Sequence, residues 1–314
     1  MKILYITITD KKQQGDYLEV MALRSLRSAL GDNCIDYPKK KIVYGDWSEI
    51  DKESLHGKGF TIYTPPLKEI KSRDYEDVDA IVYGFVNKPH YVNDVYPEIE
   101  KLDKPRIYID GHDDAEVVKV PSIKHELRTP QPRVYPMNLA IPSSKIRKID
   151  FSRKNQVFQK TAPPWARFKP MIMGEQGRKL YIFDDEEKYY DDMAQSWFGL
   201  SCRKGSWDAL RNYEIIAAGA VLLFRDYIHK PKYASPVGVP AISYSTPDDL
   251  AAIIERLLPL RDGVWDGRPS QEYFNILNAQ RRWLINMGTE EKLGEYLVSV
   301  IKQEIETQTR GQKS

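Results

Sequence analysis

Residues 189–226 read YYDDMAQSWFGLSCRKGSWDALRNYEIIAAGAVLLFRD, and this window decides the fold. A helical stretch over 185–196 gives way to an apolar strand over 197–201. A polar loop with a glycine follows, then a helix over 208–218, a stop at Gly219 and a second apolar strand over 220–224. Short unbroken apolar runs suit strands buried on both faces of a parallel sheet. Strand, helix and strand at this spacing make a βαβ unit. Ala217, Ala218 and Gly219 are small, which allows the helix to lie close to the sheet.

The chemistry of the window sits in its loop. Arg203, Lys204, Gly205 and Ser206 lie between a strand end and a helix start. The free N–H groups of a helix start attract anions, and the two cations add charge, so the loop suits a diphosphate. Arg211 and Glu214 follow within the helix. A carboxylate at Glu214 has the chemistry to accept hydrogen bonds from vicinal ribose hydroxyls, as acidic residues do in dinucleotide folds. An Arg and a Glu three apart are also a common helix-surface pair.

Outward from the window, the second half continues the alternation. Strands are expected at 157–158, 179–183 and 241–244, with Pro247 opening a helix to Leu258 and amphipathic helix over 270–307. The first half alternates too, with a strand over 3–8 and a helix from Leu18 to Leu30 that Asp16 would cap and Gly31 would stop. Strands at 34–37, 79–84 and 106–110 follow, with a short helix near 96–102. Residues 39–76 read as a long excursion with one short strand at 60–63. Prolines at 121, 130, 132, 136 and 142 read as a stiff inter-domain crossing. The expected architecture is α/β: two facing Rossmann-like domains with mostly parallel sheets. Residues 1–140 would form the first domain and 141–288 the second, with a helix at 289–314 that packs back on the first.

Composition excludes several classes. The 314 residues carry 47 Lys+Arg against 45 Asp+Glu, a net charge of +2, which argues against a polybasic nucleic-acid coat. The 2 cysteines lack CxxC spacing, so neither a disulfide framework nor a cysteine-built zinc site is expected. No apolar run is long enough to span a bilayer, and the N-terminus lacks a secretory cleavage pattern. A cytoplasmic protein without membrane partners is expected.

A second polar cluster closes the strand at 106–110. Asp110, His112, Asp113 and Asp114 lie where open α/β sheets place ligands, and an Asp or His there has the chemistry of a general base. The same residues also make an ordinary Asp-Gly turn. Asp16 is a third candidate base, or only a helix cap. Lys39, Lys40 and Lys41 lie near Tyr37, Tyr44 and Trp47, a pattern that suits phosphate contacts and base stacking, or a plain solvated face.

The pattern Ser196-x-Phe198-Gly199-Leu200, Arg211-Asn212-Tyr213-Glu214, Ala217-Ala218-Gly219-Ala220-Val221 resembles the donor-binding signature of GT-B glycosyltransferases, of the family-1-like and exostosin-like kind. It covers some 40 residues, and Leu222-Leu223 stand where many relatives carry a proline. The resemblance implies a nucleotide-sugar donor, a UDP-sugar first, held mainly by the C-terminal domain, and an acceptor held mainly by the N-terminal one. It implies that Glu214 holds the donor ribose, that Arg203, Lys204 and Arg211 neutralise the diphosphate, and that no catalytic metal is needed. Asp110, His112, Asp113 or Asp16 would be the base. The acceptor stays open; a hydroxymethylated DNA base of the phage-modification type, met by Lys39, Lys40 and Lys41, is one option and would place the protein in a host cytoplasm. Two other classes stay open: a nucleotide-binding or assembly protein without turnover, and a nucleotide-sugar epimerase.

Overall fold

The structure, a computed structural model, describes residues 1–8, 17–48, 51, 55–84, 96–113, 115–117, 119–168, 182–259 and 266–311. The chain divides into two units, one of residues 1–143, 231–237 and 287–314, the other of residues 144–230 and 238–286.

In the first unit, β1 (Ile3–Ile6), β2 (Cys34–Tyr37), β3 (Ala80–Tyr83), β4 (Arg106–Asp110), β5 (Ser122–Lys124) and β6 (Val134–Pro136) form one parallel sheet. Its order is β2-β1-β3-β4-β5-β6, so the winding reverses beside β1. All four residues of β1 are buried, as a central parallel strand requires. Leu4, Ile6, Ile35, Ile81 and Tyr83 join Tyr96 and Ile99 in one core; Ile99 belongs to α2 (Pro97–Glu100).

The helix α1 (Tyr17–Leu30) is clasped by the last helix, α7 (Glu290–Gly311). Gly294 allows the close approach, because a Cβ there would run into the Ser25 carbonyl. Arg24 pairs with Glu290, and Glu304 accepts Arg133 at 2.6 Å and the Tyr135 hydroxyl at 2.6 Å, tying α7 to α1 and to β6.

In the second unit, β7 (Gln156–Phe158), β8 (Ser196–Cys202), β9 (Val221–Arg225) and β10 (Ile242–Tyr244) are parallel in the order β10-β9-β8-β7. Helices α3 (Glu186–Ala194), α4 (Leu210–Ala218), α5 (Pro247–Leu257) and α6 (Gln271–Met287) accompany them. Gly199 lets α4 approach β8, since a Cβ would meet the Ile215 side chain. Gly219 closes α4 in the left-handed region at φ 87°, its N–H donating to Ile215 and Ile216 carbonyls. Thr246 and Asp249 form a reciprocal cap on α5.

The sequence expectation differs from the structure in four places. The proline-rich stretch carries two strands of the first sheet, β5 and β6, whose three-residue length hid them. Residues 60–63 form turns rather than a strand, with Ile62 and Tyr63 buried. The helix expected from Asp208 starts at Leu210, because the Asp208 carboxylate turns to the Tyr213 hydroxyl at 3.0 Å. The helix over 270–307 is two helices, parted at Gly288-Thr289, where Gly288 O and Glu290 N both bond Ile141. Most of the strand expected at 179–183, and Asp16 as the cap of α1, lie outside the described residues.

Candidate functional site

The carboxyl edge of the second sheet gathers cations. β8 ends at Cys202, and Arg225, the last residue of β9, is its direct neighbour across the ladder. Arg203 and Lys204 follow Cys202 at once. The Cys202 thiol is pushed up to about 11 by burial, while Lys204, Arg211, a Trp165 hydrogen bond and Arg225 all pull the other way, so these groups surround it. Lys204 is itself pushed below the ordinary lysine range, first by desolvation and then by the Arg211 charge. Among the described residues neither Arg203 nor Lys204 has a carboxylate partner.

The cations lie on aromatic rings. The Arg203 guanidinium is 5.4 Å from the Trp207 ring centre, the Lys204 ammonium 5.8 Å from that of Trp165, and the Arg225 guanidinium 4.5 Å from that of Phe168. The loop holds its shape through its own backbone: Lys204 N–H donates to Ser206 O at 3.2 Å. The Ser206 hydroxyl donates to Asp208 O at 2.8 Å, and an Arg203 N–H reaches Gly205 O at 3.4 Å. The α4 start is Ala209, which offers its first N–H groups no side-chain acceptor. An anion placed here meets guanidinium, ammonium and helix N–H donors together.

Glu214, expected to hold the donor ribose, is engaged within the fold. Its side chain is 5% exposed, and its Oε2 accepts the Tyr189 hydroxyl at 2.5 Å. Burial and then Glu214 push the Tyr189 phenol well up, and Arg211 opposes them. Glu214 therefore lies in an inner layer with Tyr189, behind Arg211. Arg225 was missed in the sequence because one Arg at a strand end is no motif; only its register against Cys202 brings it to the loop.

On the first unit, the carboxyl edge of β4 and β5 holds a second constellation. Asp110 is fully buried and pairs at 3.1 Å with the equally buried Lys124 ammonium. Its Oδ1 also accepts the His112 backbone N–H at 3.0 Å and lies 3.1 Å from His112 Nδ1. Asp110 is thus paired with Lys124 and lies against the His112 ring. With Nδ1–H on the carboxylate, the basic lone pair belongs to Nε2. The His112 side chain is 29% exposed. Asp113 instead meets His125 Nε2 at 3.1 Å. Asp16 and Asp114 lie outside the described residues, and among the described ones no group of three or more His, Cys, Asp or Glu is arranged around a metal position.

Lys39, Lys40 and Lys41 do not form a basic face. Lys40 is 1% exposed and turns inward to Glu19 Oε2 at 3.1 Å and Ile8 O at 3.0 Å. Lys39 pairs with Glu69. Of the three, Lys40 is thus a buried structural pair with Glu19 and Lys39 a paired surface residue, because the turn after β2 points its middle lysine into the core. Among the described residues no helix is long and apolar enough to cross a membrane.

Two parallel-stranded Rossmann-like units, each with its ligand-competent edge at the strand carboxyl ends, define the GT-B fold class. No protein-family model matches the chain, and no curated protein does. Among solved structures it is similar to Anabaena Alr3699/HepE in complex with UDP and glucose, at TM-score 0.54 and 10% identity over 96% of this chain and 100% of that one. It is equally similar to the same protein in complex with UDP-glucose, at TM-score 0.54 and 11% identity over 96% of this chain and 100% of that one. At such identity the likeness establishes the fold.

Proposed function

We propose that the protein is a glycosyltransferase that moves a sugar from a nucleotide-diphosphate donor, a UDP-sugar first, to an acceptor hydroxyl. The observation that carries this is the cationic loop: Arg203 and Lys204 without carboxylate partners among the described residues, at the end of β8 and the uncapped start of α4. Burial and the Arg211 charge lower the Lys204 pKa, and an anion bound there would favour the charged ammonium. The GT-B fold class and the UDP-glucose complex of the similar Anabaena protein support the same donor.

In this reading Arg203, Lys204 and Arg211 take up the charge that develops on the departing diphosphate, which releases the anomeric carbon with no metal needed. Gly205 keeps the loop open to the phosphates, and Glu214 with Tyr189 backs Arg211. His112 Nε2 removes the acceptor hydroxyl proton as the oxygen attacks the anomeric carbon, and Asp110 holds the ring. A DNA acceptor has lost its basis with the burial of Lys40 and is not part of the proposal.

The test is thermal unfolding with UDP-, GDP-, ADP- and TDP-sugars. A donor at 100 times its Kd stabilises by about 2.7 kcal/mol, roughly 4 °C for a protein of this size. Lys204→Met abolishes that shift. No stabilisation by any of the four refutes the donor reading.

A further inference from the structure

The sequence and the resemblance put the donor's charge on the loop after β8. The structure brings in a second element from the other side. Residues 164–167 form a single short turn, followed by Phe168 in the left-handed region at φ 60°. Asp226, directly after Arg225, is also left-handed at φ 60°. Left-handed backbone is common for an aspartate but unfavourable for a phenylalanine, where it persists only if the surroundings enforce it.

The turn is fixed at successive residues. Trp165 O accepts an Arg225 Nη1–H at 2.5 Å, and Ala166 O accepts the Tyr244 hydroxyl at 2.9 Å. Arg167 bonds Gln159 O. The Phe168 ring stands edge-on to Tyr244 at 5.9 Å and face-on to the Arg225 guanidinium. Tyr244 is the register neighbour of Arg225 on the far side, as Cys202 is on the near side. The Asp226 carboxylate lies 3.4 Å from Arg225 Nε. One ring face, one carbonyl and one carboxylate therefore hold the guanidinium flat at the strand end, and the side chain keeps 31% of its surface exposed. These contacts stabilise the arginine in their own right; a planar fork held in advance also suits an oxyanion with several acceptor oxygens.

We propose that Arg225, held flat by Phe168 and the Trp165 carbonyl, is a further ligand of the donor diphosphate, and that the 165–168 turn is the device that positions it. The inference rests on the nucleotide-sugar reading. Its neighbourhood argues for the same ligand: Lys204 and Arg211 share the Cys202 environment with Arg225. Phe168 and Trp165 act through Arg225 and are positioning residues.

The experiment is calorimetric titration of the full chain with UDP and, separately, with inorganic pyrophosphate, which carries the diphosphate without base or sugar. Arg225→Met is expected to weaken both about tenfold or more, the usual scale for one charge-assisted fork. Arg225→Lys keeps the charge but not the fork and falls between. Phe168→Leu weakens both in the same direction and adds little on top of Arg225→Met, because it acts through the same group. Arg225→Lys and Phe168→Leu keep the test decisive if the methionine variant fails to fold. Wild-type protein that binds UDP and pyrophosphate while Arg225→Met or Arg225→Lys binds them equally well overturns the role of Arg225 and leaves the donor reading standing. Wild-type protein that binds neither overturns both. Loss with Arg225→Met but additive loss with Phe168→Leu overturns the positioning role of the turn.

Discussion

Lys154 makes the sharpest stability prediction. Its ammonium is buried beside β8, donating to Ala194 O at 3.2 Å and to Ser196 O, with the Trp197 ring 5.8 Å away. No carboxylate partners it among the described residues, and Arg281 is close enough to add repulsion. Burial first, and that repulsion second, lower its pKa from an ordinary 10.5 to about 7. Between those values the unfolded chain holds a proton that the folded chain lacks, so stability rises with pH through that window. One proton gives a slope of about 1.4 kcal/mol per pH unit. Below the folded value both states are charged, the cost of burying the ammonium is complete, and the slope vanishes. Lys154→Met removes the titration and keeps the volume. The loss of two carbonyl partners shifts the variant by a constant, whereas the wild-type minus variant difference climbs by about 2.7 kcal/mol from pH 7.5 to 9.5. Urea unfolding followed by tryptophan emission reads the unit that holds Lys154, and the difference cancels every other titrating group. A flat difference over those two pH units means that Lys154 stays charged when folded, and the burial argument is then wrong.

Other outcomes follow from single contacts. Gly294→Val drives a side chain into the Ser25 carbonyl between α1 and α7 and is expected to cost about 2–3 kcal/mol, read as a lower unfolding midpoint with unchanged UDP binding. His112→Asn lowers transfer by roughly 10²–10⁴-fold without changing UDP affinity, and Asp110→Asn lowers it less; an unchanged rate in His112→Asn removes the base assignment. Glu214→Gln weakens UDP and 2′-deoxy-UDP by the same factor, because Glu214 acts through Tyr189 and Arg211; a loss confined to UDP would restore the ribose role. Lys204 must be protonated to bind diphosphate, and its pKa in the free protein lies below the ordinary value, so UDP affinity falls as pH rises through that interval and binding takes up protons there. Lys204→Arg removes that dependence, which titrations in buffers of different ionisation enthalpy would detect.

The fold was legible where the chain alternates long elements. Residues 196–225 announced β8, the loop, α4, its glycine stop and β9, because each step has a local cause: an apolar run, an amphipathic helix, a left-handed Gly219. The first sheet was legible only over β1 to β4. Its last strands, β5 and β6, are three residues each, flanked or ended by proline, and draw their pairing from neighbours far along the chain. The cationic loop was legible for the same local reasons as the helix that follows it. Arg225, Phe168 and Trp165 were not, because nothing along the chain relates residues 165–168 to residue 225; the register of β9 between β8 and β10 does.

The lysines show why residue type alone misled at one site and served at another. Lys40 and Lys204 both follow a strand and both stand in a basic run. Lys40 meets Glu19, so its charge is settled within the fold and it anchors Ile8, two residues past the end of β1. Lys204 is given an aromatic ring and a second cation where Lys40 is given a carboxylate. A buried pair such as Lys40 and Glu19 contributes structure, since removing either partner strands the other. Lys204, whose pKa burial and the Arg211 charge lower, has its charge left for an anion to meet in the proposed reading. In the proposed reading the partner is anionic with more than one acceptor, since Lys204, Arg211 and Arg225 all act on Cys202. A diphosphate satisfies both conditions, whereas at Lys39–Lys41 the lysine in the middle of the run is already paired with Glu19.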